Sequence, residues 1–583
     1  MHQLINLVLK TPLFYPAWIT LTVAAAFGVA WAVGPAVTPK VQEPEEAPLI
    51  RKPRRVWSRG AVVAVALLTL LVVGDIVLSL KWEDFAYKDN SYFTLGVLRG
   101  HDATPPIWPS DGRFFPLGHQ EFNLIRHFTS TPRGYHLLPT IQLLALCSIL
   151  LILDEELSVA ARAGLTALVL VSPAILTSFG ALIHPERNEV TWLACLAPSM
   201  KYFERTQARV WAVLAVVCAQ FMIYYKETAF LLLLGVAVGS LVLRCKKTPG
   251  AGWDFERLRD RESRLNVFLS SLAILFVLGY LAATHFHLHQ QQNYAHQHGL
   301  PTAEVVFAYI KYDLLAWVLV ALVLGRVYLL LRHRVPPSPR WDGLALGGVA
   351  CFAAYLYLGL FSPKYSAPVD FIAVLYVGRF ALLSWGQRSW WSKALTMVLL
   401  GAVLLQEVAL SAFRVYERKN EIHGKAEIAT MVKAQYQSGA GHAQRLFFPF
   451  TTPYQIMEFA AYLSYRGVPV EGNPDEPAGL GRVAITGRAI ARDGPCESYR
   501  SVMCHAASKP DPGDLVIILP NDHVSLTQVA PYRERGELLF LYEPRPPIPR
   551  VLYPYVDHLR IASWWFRNSK LPDRWLDGSV TVW

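Results

Sequence analysis

Charged side chains are scarce in this chain. They make up 17% of its 583 residues, while 53% are hydrophobic, against about a quarter charged in ordinary soluble domains. That balance excludes a conventional soluble enzyme and points to a polytopic membrane protein. Cysteine is sparse as well, with seven in all. Five of them (Cys147, Cys195, Cys218, Cys245 and Cys351) lie in or beside apolar segments, as packing residues do. Cys496 and Cys504 stand close together in the polar C-terminal region and are expected to form a disulfide if that region folds in an oxidising compartment. The first apolar stretch lacks a basic leader followed by a small-residue cleavage site, so no cleavable signal is expected. No internal repeat and no low-complexity tract occurs, which speaks against a transporter or flippase assembled from duplicated halves.

What the chain has in abundance is long apolar runs. A helix needs roughly 20 apolar residues to cross the hydrocarbon core. About twelve candidates occur, at 17–34, 60–80, 136–153, 163–183, 189–203, 209–225, 229–244, 267–285, 312–331, 343–361, 369–386 and 393–412. Seventeen Trp and twenty-six Tyr suit many interfacial crossings. The formal charge of +11 is carried by clusters between the apolar runs, at Arg51–Arg59, Lys201–Arg209, Arg244–Arg264, Arg332–Arg340 and Arg388–Lys393. Those clusters read as cytoplasmic loop anchors rather than as a nucleic-acid surface. They fall in every second loop. The intervening loops, and with them both termini, are therefore expected to face outward, as in the inner membrane of a bacterium.

Two domains follow: a transmembrane region over 1–412 with a long first outer loop at 81–135, and an extracytoplasmic region over 413–583. In the latter, short apolar runs at 445–450, 482–490, 514–519 and 537–542 between Gly/Pro/Asp-rich turns predict strands, and 454–465 predicts a helix entered after Pro453. A small α/β domain without a Gly-rich phosphate loop is expected.

The residues suited to chemistry cluster in the outward loops. Glu83, Asp84 and Asp89 are three carboxylates just past the second span, followed by Tyr92, Leu95 and Leu98 at the spacing of a short interfacial helix. A carboxylate there suits a general base acting on a hydroxyl, and a solvated loop start accounts for the same residues. The turn His184-Pro-Glu-Arg-Asn-Glu189 offers His184, Glu186 to bind a metal or orient substrate, and Arg187 to grip a phosphate. Helix capping and snorkelling are the plain alternatives. Lys226, in Tyr224-Tyr-Lys-Glu-Thr228, and Lys364 with Tyr365, in Phe361-Ser-Pro-Lys-Tyr-Ser-Ala-Pro368, stand at headgroup depth, where they serve either as phosphate ligands or as anchors. Asp75, Asp370 and Glu407 fall in the outer portions of their spans, and Arg379, lying deeper, is a partner for one of them. The run His285, His287, His289, His296 and His298 offers nitrogen ligands for a transition metal, or a solvated polar loop. A divalent metal is compatible with these residues but not required by them.

Together, Asp89-x-Ser-Tyr-Phe-Thr-Leu-Gly-Val-Leu-Arg-Gly100, Lys226-Glu-Thr-Ala-Phe and Lys364-Tyr-x-x-Pro368 resemble elements of the GT-C superfamily of polytopic glycosyltransferases. That superfamily includes the protein O-mannosyltransferases and the lipid A aminoarabinose transferases. The resemblance implies a GT-C-like fold, a polyprenyl-phosphate sugar donor and a glycan, lipid or protein acceptor. It also implies inversion at the anomeric carbon, with a first-loop carboxylate as base and Lys226, Lys364 or Arg187 stabilising the departing phosphate. A lipid-borne donor also accounts for the missing nucleotide fold. Asn90 stands where many members carry a second acid, so Glu83, Asp84 and Asp75 remain candidates beside Asp89. An O-antigen ligase or polymerase would place its large loop between late spans, whereas here the large internal loop comes first.

Overall fold

A computed structural model describes residues 13–34, 59–81, 84–87, 90–98, 100, 107–108, 113–246, 254–288, 301–385, 389–438, 445–470, 483–487, 504–519, 526–542 and 580–582. The chain divides into two compact units. The first comprises 1–80, 104–124 and 135–411; the second comprises 81–103, 125–134 and 412–583. Two pieces of the first outer loop thus belong with the C-terminal unit and not, as the sequence suggested, with the transmembrane region.

The first unit is a helical, multi-pass membrane domain. Among the described residues, seven helices are long and apolar enough to cross a membrane, or eight if a bent pair counts as one span. The remaining four expected spans are helical but do not pass that test. Arg209–Tyr225 and Ala229–Cys245 are short, Pro339–Tyr357 opens with Arg340 and Asp342, and Glu186–Thr206 begins with four polar residues that are buried in protein. Phe27, Trp31, Leu67, Leu70, Leu395 and Leu405 are more than half exposed, as side chains that face lipid are. In contrast, the Pro363–Leu383 span is 72% buried and runs through the interior.

Small residues set the packing around that interior. Gly235 and Gly239 on one helix face Gly343 and Gly347 on another, each pair at four-residue spacing. A Cβ added at Gly347 would lie 2.6 Å from Leu232 O, and one at Gly343 would lie 2.2 Å from Ser240 Oγ. The two backbones therefore touch, which only glycine permits. Ser240 Oγ reinforces the contact by donating to Pro339 O at 3.0 Å.

The expected span 163–183 is broken. Val159–Leu170 and Pro173–Gly180 meet at 64°, at the residues preceding Pro173. The carbonyl freed at Val171 accepts from Ser411 Oγ, and Ser172 Oγ donates to Asp370 Oδ2 at 2.6 Å. Asp370 and Glu407, expected in the outer portions of their spans, are buried, with Asp370 engaged at this break. Arg379 pairs with neither of them. It binds Asp154 at 2.8 Å and also meets Glu156. The residues of the basic loops gather in the same way: Arg205 pairs with Glu155, and Arg244 and Arg340 share Glu204.

The second unit is α/β. Four parallel strands lie in the order Cys504–Ala506, Ala484–Gly487, Arg445–Phe448, Leu515–Val516. Pro453–Tyr465 begins with a capping box between Thr452 and Gln455 and returns the chain to the adjacent parallel strand. Phe540–Tyr542 pairs antiparallel with Val580–Val582, away from that sheet.

Candidate active site

Three polar turns of the membrane unit meet at one place. Pro185 leads into the Glu186–Thr206 helix, and its first turn buries Glu186, Arg187 and Glu189 completely. Glu186 and Glu189, three apart, lie on the same helix face. The turn between Arg209–Tyr225 and Ala229–Cys245 delivers Lys226, whose Nζ is 3.0 Å from Glu186 Oε1. Next along the chain, Thr228 Oγ1 and Tyr355 Oη are 2.8 Å apart, so the glycine-packed helix pair fixes this turn. Tyr355 stacks on Tyr365 at 5.1 Å and 8°. Lys226 Nζ lies 4.9 Å from the centroid of the Tyr365 ring, and Lys364 Nζ lies 5.5 Å from the same centroid. Two lysines 138 residues apart in sequence thereby share one aromatic ring.

The wall facing them is the segment Arg113–Gln120. Arg113 Nε binds Glu227 Oε1 at 2.8 Å, and Leu117 N–H donates to Tyr224 O at 3.0 Å. This pins the segment to the Lys226 turn. Gly118 has no room for a side chain, since a Cβ would lie 2.1 Å from the Phe115 ring. His119 follows at φ 65°, a left-handed conformation that histidine adopts more readily than most residues.

Burial and the surrounding charges set the protonation states. Burial lowers the His119 imidazole well below its usual value, and Arg113, Arg187, Lys226 and Lys364 push it the same way. It is therefore neutral among four cations. For Lys226, burial is the largest influence and works against the charge, but Glu186, Glu227 and Tyr365 together outweigh it and the net shift is upward. Glu227 resists the same burial because Arg113 and Lys226 hold it ionised, so its net shift is downward. Neither oxygen of Glu189 has a hydrogen-bond partner among the described residues. Lys226 is itself buried and paired with Glu186, and Arg113 is paired with Glu227, so the half-buried Lys364 is the cation of this cluster with no ion-pair partner among the described residues.

The other sequence candidates fare differently. Arg187 does not present itself to a phosphate. Its guanidinium is fully buried, binding Glu121 Oε1 at 2.8 Å and Leu182 O at 3.0 Å. His184 is buried with Nδ1 3.0 Å from Thr177 O. Both hold the turn that carries Glu186. In the second unit, Asp84 Oδ2 accepts from Tyr462 Oη at 2.7 Å and lies 3.6 Å from Arg466. Burial raises its carboxyl from the ordinary value, and Tyr462 and Arg466 offset part of that rise. The helix Asn90–Leu98 packs against Pro453–Tyr465. Asp75 is half-buried. Glu83, Asp89, Cys496 and the side chains of the His285–His298 run lie outside the described residues. The side chain of Cys504 also lies outside the described residues, and Cys147, Cys195, Cys218, Cys245 and Cys351 are free thiols. Among the described residues, no group of three His, Cys, Asp or Glu is arranged to hold a metal ion.

Arg113, His119, Glu121, Glu189 and Glu227 are site residues that the sequence reading did not single out. Pro116-Leu-Gly-His119 is a turn signal in a polar loop, and it was the available clue.

No protein-family model matches the chain, and no curated protein does. In fold it is similar to two crystal structures of ArnT from Cupriavidus metallidurans. One is bound to undecaprenyl phosphate (13% identity) and one is in the apo state (14% identity). Each comparison covers 83% of this chain and 96% of that chain at a TM-score of 0.43. The superposition is too loose to carry residue roles across.

Proposed function

We propose that this chain is a glycosyltransferase. It moves a sugar from a polyprenyl-phosphate-linked donor onto an acceptor hydroxyl at the outer face of a bacterial inner membrane. The observation that carries the reading is the pair Lys226 and Lys364 on one Tyr365 ring, beside a neutral His119, at the ends of membrane helices. The donor's phosphodiester carries one negative charge beside an apolar tail, and a second develops on the phosphate as the sugar leaves. Two ammonium groups suit it as point charges.

Chemically, the acceptor oxygen attacks the anomeric carbon as the C–O bond to the lipid phosphate breaks, with inversion. The leaving group departs as a phosphate anion, so it needs charge neutralisation more than a proton, and Lys226 and Lys364 supply this. The acceptor's proton passes to a first-loop carboxylate, Asp89 foremost. Glu186 keeps Lys226 charged and placed. Arg187 and His184 act as supports for that turn rather than as substrate ligands.

The test is transfer in vitro by the purified chain in nanodiscs, with a polyprenyl-phosphate-linked sugar as donor. Released polyprenyl phosphate and glycosylated acceptor should appear together. Asp89→Asn keeps the size and removes the base, and should lower the rate roughly 10²–10⁴-fold. Movement of intact donor across the bilayer without release of polyprenyl phosphate would refute the reading in favour of a flippase.

A further inference from the structure

Asp84 was a candidate base, yet in the structure it is a fixed strut. Its Oδ2 accepts from Tyr462 Oη, and Tyr462 is fully buried in the C-terminal unit. Arg466 NH1 lies 3.2 Å from the same phenol oxygen, and Arg466 O accepts from Lys433 Nζ at 2.9 Å. The carboxylate, the phenol and the guanidinium therefore lock one another. The neighbours of Asp84 are seated on the same unit. Phe85 is fully buried and meets Tyr465 edge-on at 5.2 Å, and Tyr87 is buried under the Arg418 guanidinium at 5.7 Å. Beyond position 89, the helix Asn90–Leu98 lies against Pro453–Tyr465 and buries Leu95 and Val97. The segments on both sides of Asp89 in the sequence are thus docked on the α/β unit, although more than three hundred residues separate them from it along the chain.

We infer that Asp84 is a positioning residue that, through Tyr462, seats the described first-loop segments 84–87 and Asn90–Leu98 on the helix Pro453–Tyr465 of the α/β unit. This rests on the glycosyltransferase reading for its kinetic consequence, though not for the seating itself. A base and a strut respond oppositely to conservative change. Asn at 84 still offers an oxygen to the Tyr462 hydroxyl but takes no proton. Phe at 462 removes the hydroxyl and leaves the carboxylate in place.

The experiment uses the full chain in nanodiscs and three variants: Asp84→Asn, Asp84→Ala and Tyr462→Phe. As a strut, Asp84→Asn should hold kcat within about threefold of the unaltered chain, while Asp84→Ala and Tyr462→Phe lower it roughly 10–100-fold through misplacement of the loop. Donor KM should stay within about twofold in all three, because donor binding belongs to the Lys226 cluster. Amide exchange in Asn90–Leu98 should accelerate in Tyr462→Phe and not in Asp84→Asn. If Asp84→Asn loses as much as Asp84→Ala while Tyr462→Phe works normally, Asp84 is a base and the inference fails. If Asp84→Ala does not fold, the contrast between Asp84→Asn and Tyr462→Phe still decides. If the unaltered chain transfers no sugar, the functional reading falls alone, and unaltered exchange in Tyr462→Phe is then the result that overturns the seating.

Discussion

Lys226→Met should do two things at once, and the structure separates them. Lys226 Nζ is 3.0 Å from the fully buried Glu186 carboxylate, and Glu189, also fully buried, stands one turn further on without a hydrogen-bond partner among the described residues. Removing the lysine leaves a buried carboxylate without its counter-ion, which costs about 3–5 kcal/mol. That is a large share of the roughly 5–15 kcal/mol by which a domain is stable. A simple loss of activity in Lys226→Met would therefore be ambiguous between unfolding and lost phosphate binding. Adding Glu186→Gln removes the stranded charge, so the double variant should recover most of the stability and none of the donor affinity. Lys364 gives the complementary case. It is half-buried and has no ion-pair partner among the described residues, so Lys364→Met should melt normally. Losing one charge-assisted contact to phosphate costs about 1.5–3 kcal/mol, or roughly 10–150-fold in Kd. The assays are thermal unfolding in detergent and titration with polyprenyl phosphate for all three proteins. If Lys226→Met melts like the unaltered chain, or if Lys364→Met binds polyprenyl phosphate normally, the site does not work as argued.

Two further outcomes follow from the same geometry. His119 takes a proton less readily in the folded chain than at its ordinary value of 6.5, so its contribution to stability is complete above that pH. It is lost progressively as pH falls below 6.5 toward the depressed folded value, with a slope of at most about 1.4 kcal/mol per pH unit. His119→Gln should flatten the acid limb of a stability–pH curve between pH 7 and 5, and an unchanged limb would place the acid sensitivity elsewhere. Gly347→Leu should push the Gly343–Gly347 helix away from Leu232, costing about 1–3 kcal/mol or more by overpacking. Because that helix carries Tyr355, donor affinity should fall as well. Normal melting and binding would show that the close approach is dispensable.

Much of this molecule was legible in the residues alone. Hydrophobic period and chain length are local properties, so the long apolar runs became helical, the 163–183 run in two pieces, and the 454–465 pattern became the capped helix Pro453–Tyr465. Loop charge is local too, and Lys201, Arg205, Arg244 and Arg340 of the basic clusters take part in ion pairs. The turns bearing Glu186, Lys226 and Lys364 were visible for the same reason: polar residues in tight connections between apolar runs stand out.

What the sequence left open was which of those polar residues are committed to the protein itself. Arg187 looked like a phosphate ligand until Glu121, 66 residues away, occupied it. Asp84 looked like a base until Tyr462, 378 residues away, fixed it. His119 looked like nothing at all until three separate loops surrounded it with cations. Period and composition record what a side chain prefers, but a buried charge takes its role from the partner that folding brings within about 3 Å of it. That partner is chosen by the tertiary structure.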